Sequence, residues 1–283
     1  MSQFELSAES LGLTATDLGP RLWKSALAEG IAVLLFVFIG AGAVIIVTGS
    51  EGLTVNSLTV IALAHGLAFA TMVAMTANIS GGHVNPAVTF AATITGRIKI
   101  GPGVCYIAAQ LMGAVLGALL LQVVLVDAFE GNLGAHGGAS DAVDGISAAV
   151  VVEGVLTFIL VFTVFATALD TKKGLGHVAP LFIGLAILID HFVGVPLTGA
   201  SMNPARSFGP AIASGEWAGD GLDWLAIYVA GPGIGAALAG VVYMLAFWNH
   251  DDGDEDGGGD SGQGDDGEVS RAIPSAAGPP SDL

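Results

Sequence analysis

Two stretches of eight residues decide the fold: SGGHVNPA at residues 80–87 and TGASMNPA at residues 198–205. Each ends in Asn-Pro-Ala. Asn is a preferred helix N-cap, and Pro fits the first helical turn, where no amide donor is needed. Each stretch therefore predicts a loop that turns into a short helix at its Asn-Pro pair. A single Asn-Pro-Ala is usually an ordinary turn or helix cap, so it is the recurrence of the motif that indicates a function.

The sequence around the two motifs recurs as well. Gly66 lies 19 residues before Asn85, and Gly184 lies 19 residues before Asn203. Glu-Gly pairs at residues 29–30 and 153–154 and the related stretches GAVL at 113–116 and GAAL at 235–238 extend the match. The chain is therefore predicted to contain two copies of one unit, about residues 23–126 and 146–248, which a connecting loop C joins.

The composition is that of a membrane protein. Of the 283 residues, 53% are hydrophobic and 12% are charged, whereas soluble domains carry roughly a quarter charged residues. The apolar stretches are continuous rather than alternating, which excludes barrel strands and favours helices of about 20 residues. The first stretch, at about two dozen residues, is too long for a signal-peptide core. We expect the lipid bilayer to surround the chain and no nucleic acid to bind it.

Hydropathy and helix breakers predict six spans, near residues 23–48, 58–77, 104–126, 146–169, 178–195 and 222–248. Each copy of the repeat holds three of them, and an odd number of spans inverts the second copy in the membrane. The short segments 85–95 and 203–213 should then enter from opposite faces and meet near the midplane. The predicted fold is an all-α membrane protein with six transmembrane helices and two re-entrant half-helices in an inverted 3+3 repeat.

The cations predict the orientation, because Lys and Arg concentrate in cytoplasmic loops. Seven of the eight fall on one side if both termini are cytoplasmic: Arg21, Lys24, Arg97, Lys99, Lys172, Lys173 and Arg271. The eighth, Arg206, follows the second motif directly and is alone on the outer half. Its isolation predicts a functional role for Arg206. The spans and the cation pattern together predict an integral, multi-pass protein of the cell (plasma) membrane.

The two ends of the chain differ in composition from the predicted membrane-spanning domain, residues 23–248. Residues 1–22 are expected to form a short cytoplasmic segment. Residues 249–283 hold ten of the 25 acidic residues and are rich in Asp and Gly, so they predict a disordered cytoplasmic tail. The formal net charge of −17 suggests a salt-adapted microbe, since concentrated salt screens the repulsion between carboxylates.

The paired half-helices predict a pore that interrupts a file of water. Two helix N-termini, each worth about half a positive charge, would meet at the centre, where Asn85 and Asn203 offer amide donors. A water whose oxygen accepts from both amides cannot accept a hydrogen bond from its neighbour. Backbone carbonyls in extended runs before each motif would line the pore. The residues expected to line the pore and its vestibule are Gly81, Gly82, His83, Gly199, Ser201 and Met202.

On these motifs, Asn85-Pro86-Ala87 and Asn203-Pro204-Ala205-Arg206 above all, residues 23–248 resemble the major intrinsic protein family, the aquaporins and glycerol facilitators. The resemblance implies a right-handed bundle, one pore per subunit and a homotetramer. It also implies an outer selectivity filter formed by His65, His191, Ala200 and Arg206. His65 departs from the aromatic ring of many water channels and is similar to plant tonoplast aquaporins, several of which pass ammonia. Those relatives usually carry Ile where this chain has His191.

The solute is predicted to be water, with ammonia or small polyols such as glycerol as alternatives. Glycerol facilitators typically carry Asp after the filter arginine and a basic residue four places later, where this chain has Ser207 and Ala211. His136 in loop C could fold over the mouth as a fifth filter group or could be a solvated loop residue.

Glu29 and Glu153 lie inside predicted spans, where carboxylates are costly. They could relay protons in a transporter, but the family resemblance favours a role in bracing the two loops. The sequence predicts no cofactor, no metal site and no enzyme activity. An inverted-repeat transporter and a purely adhesive membrane protein remain alternatives, which a permeability measurement separates.

Overall fold

The computed structural model describes residues 7, 9–14, 17, 19–49, 52–126 and 131–248. Within these residues the regular structure is helical, and six segments are long and apolar enough to cross a membrane. The helices are α1 (Pro20–Thr48), α2 (Val55–Ser80), α3 (Pro86–Ile94), α4 (Ile100–Val124), α5 (Gly145–Val164), α6 (Ala179–Thr198), α7 (Pro204–Ser214), α8 (Leu222–Leu225) and α9 (Gly231–Ala246). The predicted class, six spans with two half-helices, is confirmed. The half-helices are α3 and α7.

Helix ends differ from the predicted spans by a few residues. Helix α2 begins at Val55 rather than at residue 58, because Thr54 and Ser57 form a capping box in which each side chain bonds the backbone N–H of the other. A hydropathy pattern omits these polar residues although they stabilise the first helical turn. Helix α4 ends at Val124, two residues earlier than predicted, since Leu125 adopts an extended conformation.

Two spans are interrupted by π-helical turns, which the apolar pattern does not predict. The turn Phe165–Leu169 follows α5, and the turn Ala226–Ala230 joins α8 to α9. A π turn inserts an extra residue into the helix and rotates the side chains within it. The second turn carries Tyr228, which is fully buried.

Equivalent helices of the two repeats pack in equivalent pairs. Helix α1 packs on α4 as α5 packs on α9, and α2 crosses α6 at the centre. That crossing is close because both helices carry glycine there. A Cβ atom on Gly66 would lie 2.7 Å from the carbonyl oxygen of Gly184, and a Cβ atom on Gly184 would lie against the carbonyl oxygen of Gly66. Small residues that let backbones approach are typical of membrane helix contacts.

The ends of the described chain are anchored at the face that carries the paired cations. Lys99 forms an ion pair with Asp17 at 2.9 Å, and the backbone N–H of Gly101 donates to the carbonyl of Leu11. Arg97 lies over the ring of Trp248 at 4.3 Å from its centroid. The predicted acidic tail, residues 249–283, lies outside the described residues, as does part of the predicted segment 1–22.

Candidate pore and selectivity filter

The two half-helices begin at Asn85 and Asn203, and the two side chains make reciprocal contacts. The Nδ2 atom of Asn85 donates to the carbonyl of Met202 at 2.8 Å, and that of Asn203 donates to the carbonyl of Val84 at 2.9 Å. Each Oδ1 atom caps its own half-helix by accepting from the N–H of Ala87 or Ala205. Since each amide nitrogen carries two hydrogens, one N–H of each Asn remains. The N-termini of α3 and α7 therefore face each other.

Two segments precede the asparagines: the first re-entrant loop, Gly81–Val84, and the second re-entrant loop, Gly199–Met202. The sequence predicts extended backbone in both loops, but the loops are not extended along their whole length. Val84 and Met202 have φ values of 54° and 51°, in the left-handed region that side chains rarely adopt. Such residues cost about 1–3 kcal/mol each and persist where their surroundings hold them.

Glu29, fully buried on α1, holds the first re-entrant loop. Its carboxylate accepts hydrogen bonds from the backbone N–H groups of His83 at 2.9 Å and Val84 at 2.6 Å. It also accepts from the hydroxyl of Ser80 and from the Nε2 atom of Gln110. The loop N–H groups that no helix can satisfy are thus paired with a buried acceptor.

Glu153, fully buried on α5, makes the equivalent contacts to the second re-entrant loop. It accepts from the backbone N–H groups of Ser201 at 2.9 Å and Met202 at 2.8 Å. The hydroxyl of Thr198 donates to the same carboxylate at 2.6 Å. Both predicted bracing residues therefore contact the loops for which they were proposed.

Three of the four predicted filter residues lie together. The rings of His65 and His191 have centroids 4.3 Å apart. The Nε atom of Arg206 lies 3.4 Å from the Nε2 atom of His65, and its Nη1 atom donates to the carbonyl of Gly134 at 2.6 Å. Arg206 is 2% exposed. The fourth residue, Ala200, lies on the second re-entrant loop against Gly194 of α6.

The two histidines of the predicted filter share one ring orientation. The Nδ1 atom of His65 bonds the carbonyl of Ile61 at 2.9 Å, and that of His191 bonds the carbonyl of Ile187 at 2.8 Å. Because a carbonyl only accepts, Nδ1 must carry the hydrogen in both rings. In a neutral imidazole the Nε2 atom is then an acceptor. The Nε2 atom of His191 has no hydrogen-bond partner among the described residues.

His136 is not a solvated loop residue, so that alternative is wrong. It is 6% exposed, and its Nδ1 atom lies 2.7 Å from the hydroxyl of Ser207. Its ring packs on Tyr228 and over Gly199, where a Cβ atom would lie 2.6 Å from the ring. Loop C therefore reaches down to the residues of the second motif.

The sequence does not indicate the two groups that bond loop C, the carbonyl of Gly134 and the hydroxyl of Tyr228. The Tyr228 hydroxyl accepts from the N–H of Gly138 at 2.9 Å and donates to the carbonyl of Thr198 at 2.7 Å. The stretch GAHG at residues 134–137 gave a weak signal through its histidine. A backbone carbonyl carries no sequence signal.

A cavity of about 470 Å³ opens on the side of the first re-entrant loop, and Gly81, Gly82 and His83 line it. The Nδ1 atom of His83 shares a hydrogen bond with Thr89. Asp170, just beyond the end of its span, also lines the cavity. Burial opposes the charged form of Asp170, but hydrogen bonds from Tyr243 and from the backbone of Lys173 and Lys172 outweigh it and lower its pKa. The charged carboxylate of Asp170 therefore lies at the wall of this cavity.

Within the described residues, no group of three or more His, Cys, Asp or Glu side chains could hold a metal ion. The polar groups gathered here are amides, imidazoles, carbonyls and one guanidinium. They are suited to hydrogen-bonding a small neutral solute in passing.

Comparisons with known proteins agree with this architecture. The family model for the major intrinsic protein family matches residues 18–243. Aquaporin TIP2-1 of Zea mays is 47% identical over 228 residues, which cover 78% of this chain and 86% of the relative. Probable aquaporin TIP1-2 of Oryza sativa subsp. japonica is 45% identical over 234 residues, 81% of this chain and 88% of the relative.

Among solved structures, the X-ray structure of the aquaglyceroporin from Plasmodium falciparum superposes with a TM-score of 0.70. Its sequence is 22% identical, and the match covers 80% of this chain and 96% of that chain. At this identity the similarity concerns the fold alone. The family model and the plant relatives show that this chain, an integral multi-pass membrane protein, belongs to the major intrinsic protein family of aquaporin channels.

Proposed function

We propose that the protein is a passive channel for water that excludes protons and ions at two places, the Asn-Pro-Ala pair and an outer filter that contains Arg206. The observation that carries the proposal is the reciprocal contact of the two asparagines, each of which donates one N–H to the opposite re-entrant loop. This contact fixes both amides at the point where the half-helix N-termini converge, with one N–H of each left for a permeant.

At the Asn-Pro-Ala pair, a water would use its oxygen to accept from the free N–H groups of Asn85 and Asn203. Its two hydrogens would then point away, towards carbonyl oxygens of the re-entrant loops on either side. Because its oxygen is occupied, it could not accept a proton from the next water in the file. The positive ends of α3 and α7 add an electrostatic barrier to cations.

At the outer filter, Arg206 supplies a fixed positive charge. The carbonyl of Gly134 and the ring of His65 hold its guanidinium on two sides. His191 and Ala200 complete the outer filter, and His136 of loop C extends it. We assign Glu29 and Glu153 to bracing rather than to proton relay, because backbone N–H groups and hydroxyls already occupy both carboxylates.

We place both termini on the cytoplasmic side of the cell membrane. The paired cations near the start of α1, before α4 and between α5 and α6 lie on one face of a six-span bundle, as the positive-inside rule expects. A homotetramer would cover part of the exposed apolar helix surface. The acidic composition supports a salt-adapted microbe.

The direct test is osmotic water permeability. Proteoliposomes with the purified protein should shrink faster under an osmotic gradient than empty vesicles, with a low activation energy. Glycerol uptake should be much slower than water flux. Water permeability equal to that of empty vesicles, for protein shown to be folded and inserted, would refute the proposal and favour an adhesive role.

Ammonia is a second candidate solute, and the orientation of the filter histidines favours it. His65 and His191 both direct the hydrogen of Nδ1 to a backbone carbonyl, which leaves Nε2 as an acceptor in each ring. Ammonia has three N–H donors and one lone pair, so it could donate to the Nε2 atom of His191 and accept from Arg206. Glycerol is disfavoured because three imidazoles, including that of His136, crowd this region.

The variant His65→Phe tests the ammonia candidate. It removes an acceptor next to Arg206 but keeps an aromatic ring, so water flux should persist while ammonia-driven alkalinisation of the vesicles falls. Equal ammonia rates in channel-containing and empty vesicles would exclude ammonia as a permeant and leave the water channel intact.

A further inference from the structure

Two tyrosines occupy equivalent places in the two repeats. Tyr106 on α4 donates its hydroxyl to the carbonyl of Ser80 at 3.0 Å, and Tyr228 in the π turn donates to the carbonyl of Thr198 at 2.7 Å. Ser80 and Thr198 are themselves equivalent residues, and each donates its own hydroxyl to the bracing carboxylate of its repeat. Each tyrosine therefore ends a hydrogen-bonded chain that begins at Glu29 or Glu153.

Within the described residues, only the Tyr228 hydroxyl bonds loop C. Its oxygen also accepts the backbone N–H of Gly138 at 2.9 Å, whereas the Tyr106 hydroxyl lies within hydrogen-bonding reach of Ser25 on α1 instead. The π turn Ala226–Ala230 carries Tyr228, and such turns often occur where a helix re-aims a side chain for function. Tyr228 thus joins loop C to the second re-entrant loop.

This junction lies four residues from the contact that holds Arg206. Residues 134–138 of loop C make three hydrogen bonds to the bundle. They join Gly134 to Arg206, His136 to Ser207, and Gly138 to Tyr228. The last of these leads through Thr198 to the carboxylate of Glu153. Tyr228 is fully buried, so its hydroxyl cannot exchange these partners for bulk water.

We propose that Tyr228 is a positioning residue for the filter. Its hydroxyl ties loop C to the braced second re-entrant loop and so holds the Gly134 carbonyl against the guanidinium of Arg206. Solute selectivity then depends on a hydroxyl that does not touch the permeant. This inference rests on the proposed function, because it assigns to loop C the task of keeping Arg206 in place within a water-selective filter.

The variant Tyr228→Phe keeps the ring that packs on His136 and removes only the hydroxyl. With loop C untied, Arg206 should sample other rotamers and the filter should widen. The ratio of glycerol to water permeability should rise by about threefold to tenfold, the range that loss of one hydrogen bond gives, while water flux stays within about twofold. The matched control, Tyr106→Phe, removes the equivalent hydroxyl in the other repeat and should leave the ratio unchanged.

A second measurement separates positioning from a general loss of stability. In the Arg206→Val background there is no guanidinium to hold, so adding Tyr228→Phe should change the ratio by less than twofold. Ser207→Ala cuts the neighbouring contact of loop C and should raise the ratio in the same direction, which keeps the proposal testable should Tyr228→Phe fail to fold.

An unchanged ratio in folded Tyr228→Phe would overturn the proposal, as would a full-sized effect in the Arg206→Val background. If Tyr228→Phe does not fold, an unchanged ratio in Ser207→Ala would overturn it. Wild-type protein that does not conduct water would instead refute the proposed function. An effect of the same size in Tyr106→Phe would assign the change to the shared scaffold and reject a specific role for loop C.

Discussion

The two re-entrant loops are held by the same kinds of contact, but the residues that follow them differ. Each residue of the first loop has a counterpart 118 positions later in the second, and the shared construction is a buried glutamate, a hydroxyl residue, two backbone N–H groups and a cross-bonded asparagine. Val84 and Met202, at the matched positions before each asparagine, even share a left-handed backbone. The contacts that support the backbone of the two loops are therefore duplicated.

The two halves differ in the residues of the first turn of each half-helix and in the partners of those residues. Val88 stands in α3 where Arg206 stands in α7. On the first side, Gln110 donates to Glu29 and Thr89, so the polar contacts close within the bundle. On the second side, loop C supplies a carbonyl and an imidazole to Arg206 and Ser207. The difference teaches that the loop supports are common to both halves, whereas the arginine and the loop C groups that bond it occur at the second half-helix.

The largest expected effect comes from removing the shared brace. Glu153→Ala or Glu29→Ala leaves two buried loop N–H groups without an acceptor, at about 1–3 kcal/mol each. Thermal unfolding of the protein in detergent should show both variants strongly destabilised, and by similar amounts. Glu153→Gln keeps one acceptor oxygen and should be milder. Wild-type stability in Glu153→Ala would contradict the brace, and a large effect at only one glutamate would break the symmetry.

The second-largest effect is expected from a thiol introduced at the predicted filter. Ala200 is the small residue of the second loop, and the single cysteine, Cys105, is half-buried on α4. Ala200→Cys should therefore make water flux sensitive to a mercurial added outside, with most of the flux lost. Ala200→Ser is the matched control and should resist the reagent. External block of the wild-type channel would mean that Ala200 or Cys105 has been assigned the wrong position.

The smallest effect is expected from the acidic tail. Truncation after Asn249 removes a segment that is rich in Asp and Gly and has no apolar periodicity. Water permeability and the unfolding temperature should match those of the full chain. A large loss of either would give the tail a role that its composition does not predict.

The sequence predicts the shared scaffold well and the filter less completely. Spans, repeat and half-helices follow from apolar length, from internal similarity and from the Asn-Pro capping chemistry of residues 85–86 and 203–204. The seat of Arg206 does not follow, because the carbonyl of Gly134 has no side chain to read and is 72 residues away in the chain. His136 was visible as a residue, but its burial depends on a loop conformation that no periodicity encodes.

The local backbone was also beyond sequence reasoning. Extended runs were expected before each asparagine, yet Val84 and Met202 adopt positive φ because the carboxylates of Glu29 and Glu153 collect successive N–H groups from one side. The π turn at Ala226–Ala230 likewise has no mark in the hydropathy pattern, because all five of its residues are apolar. At the two re-entrant loops, tertiary contacts rather than local preference set the conformation.

The central claim is that Arg206, which has Val88 as its counterpart in the first half, is the main charge barrier, and its most direct test compares Arg206→Val with Val88→Ala. Proton leak into proteoliposomes would be followed with a pH-sensitive dye, alongside osmotic water flux. A unit charge at about 4 Å is worth on the order of 4 kcal/mol at an effective dielectric constant of about 20. We therefore expect Arg206→Val to raise the leak at least about tenfold with water flux preserved, and Val88→Ala to leave it at the wild-type level. An unchanged leak in correctly inserted Arg206→Val, or an equal rise in Val88→Ala, would contradict the claim.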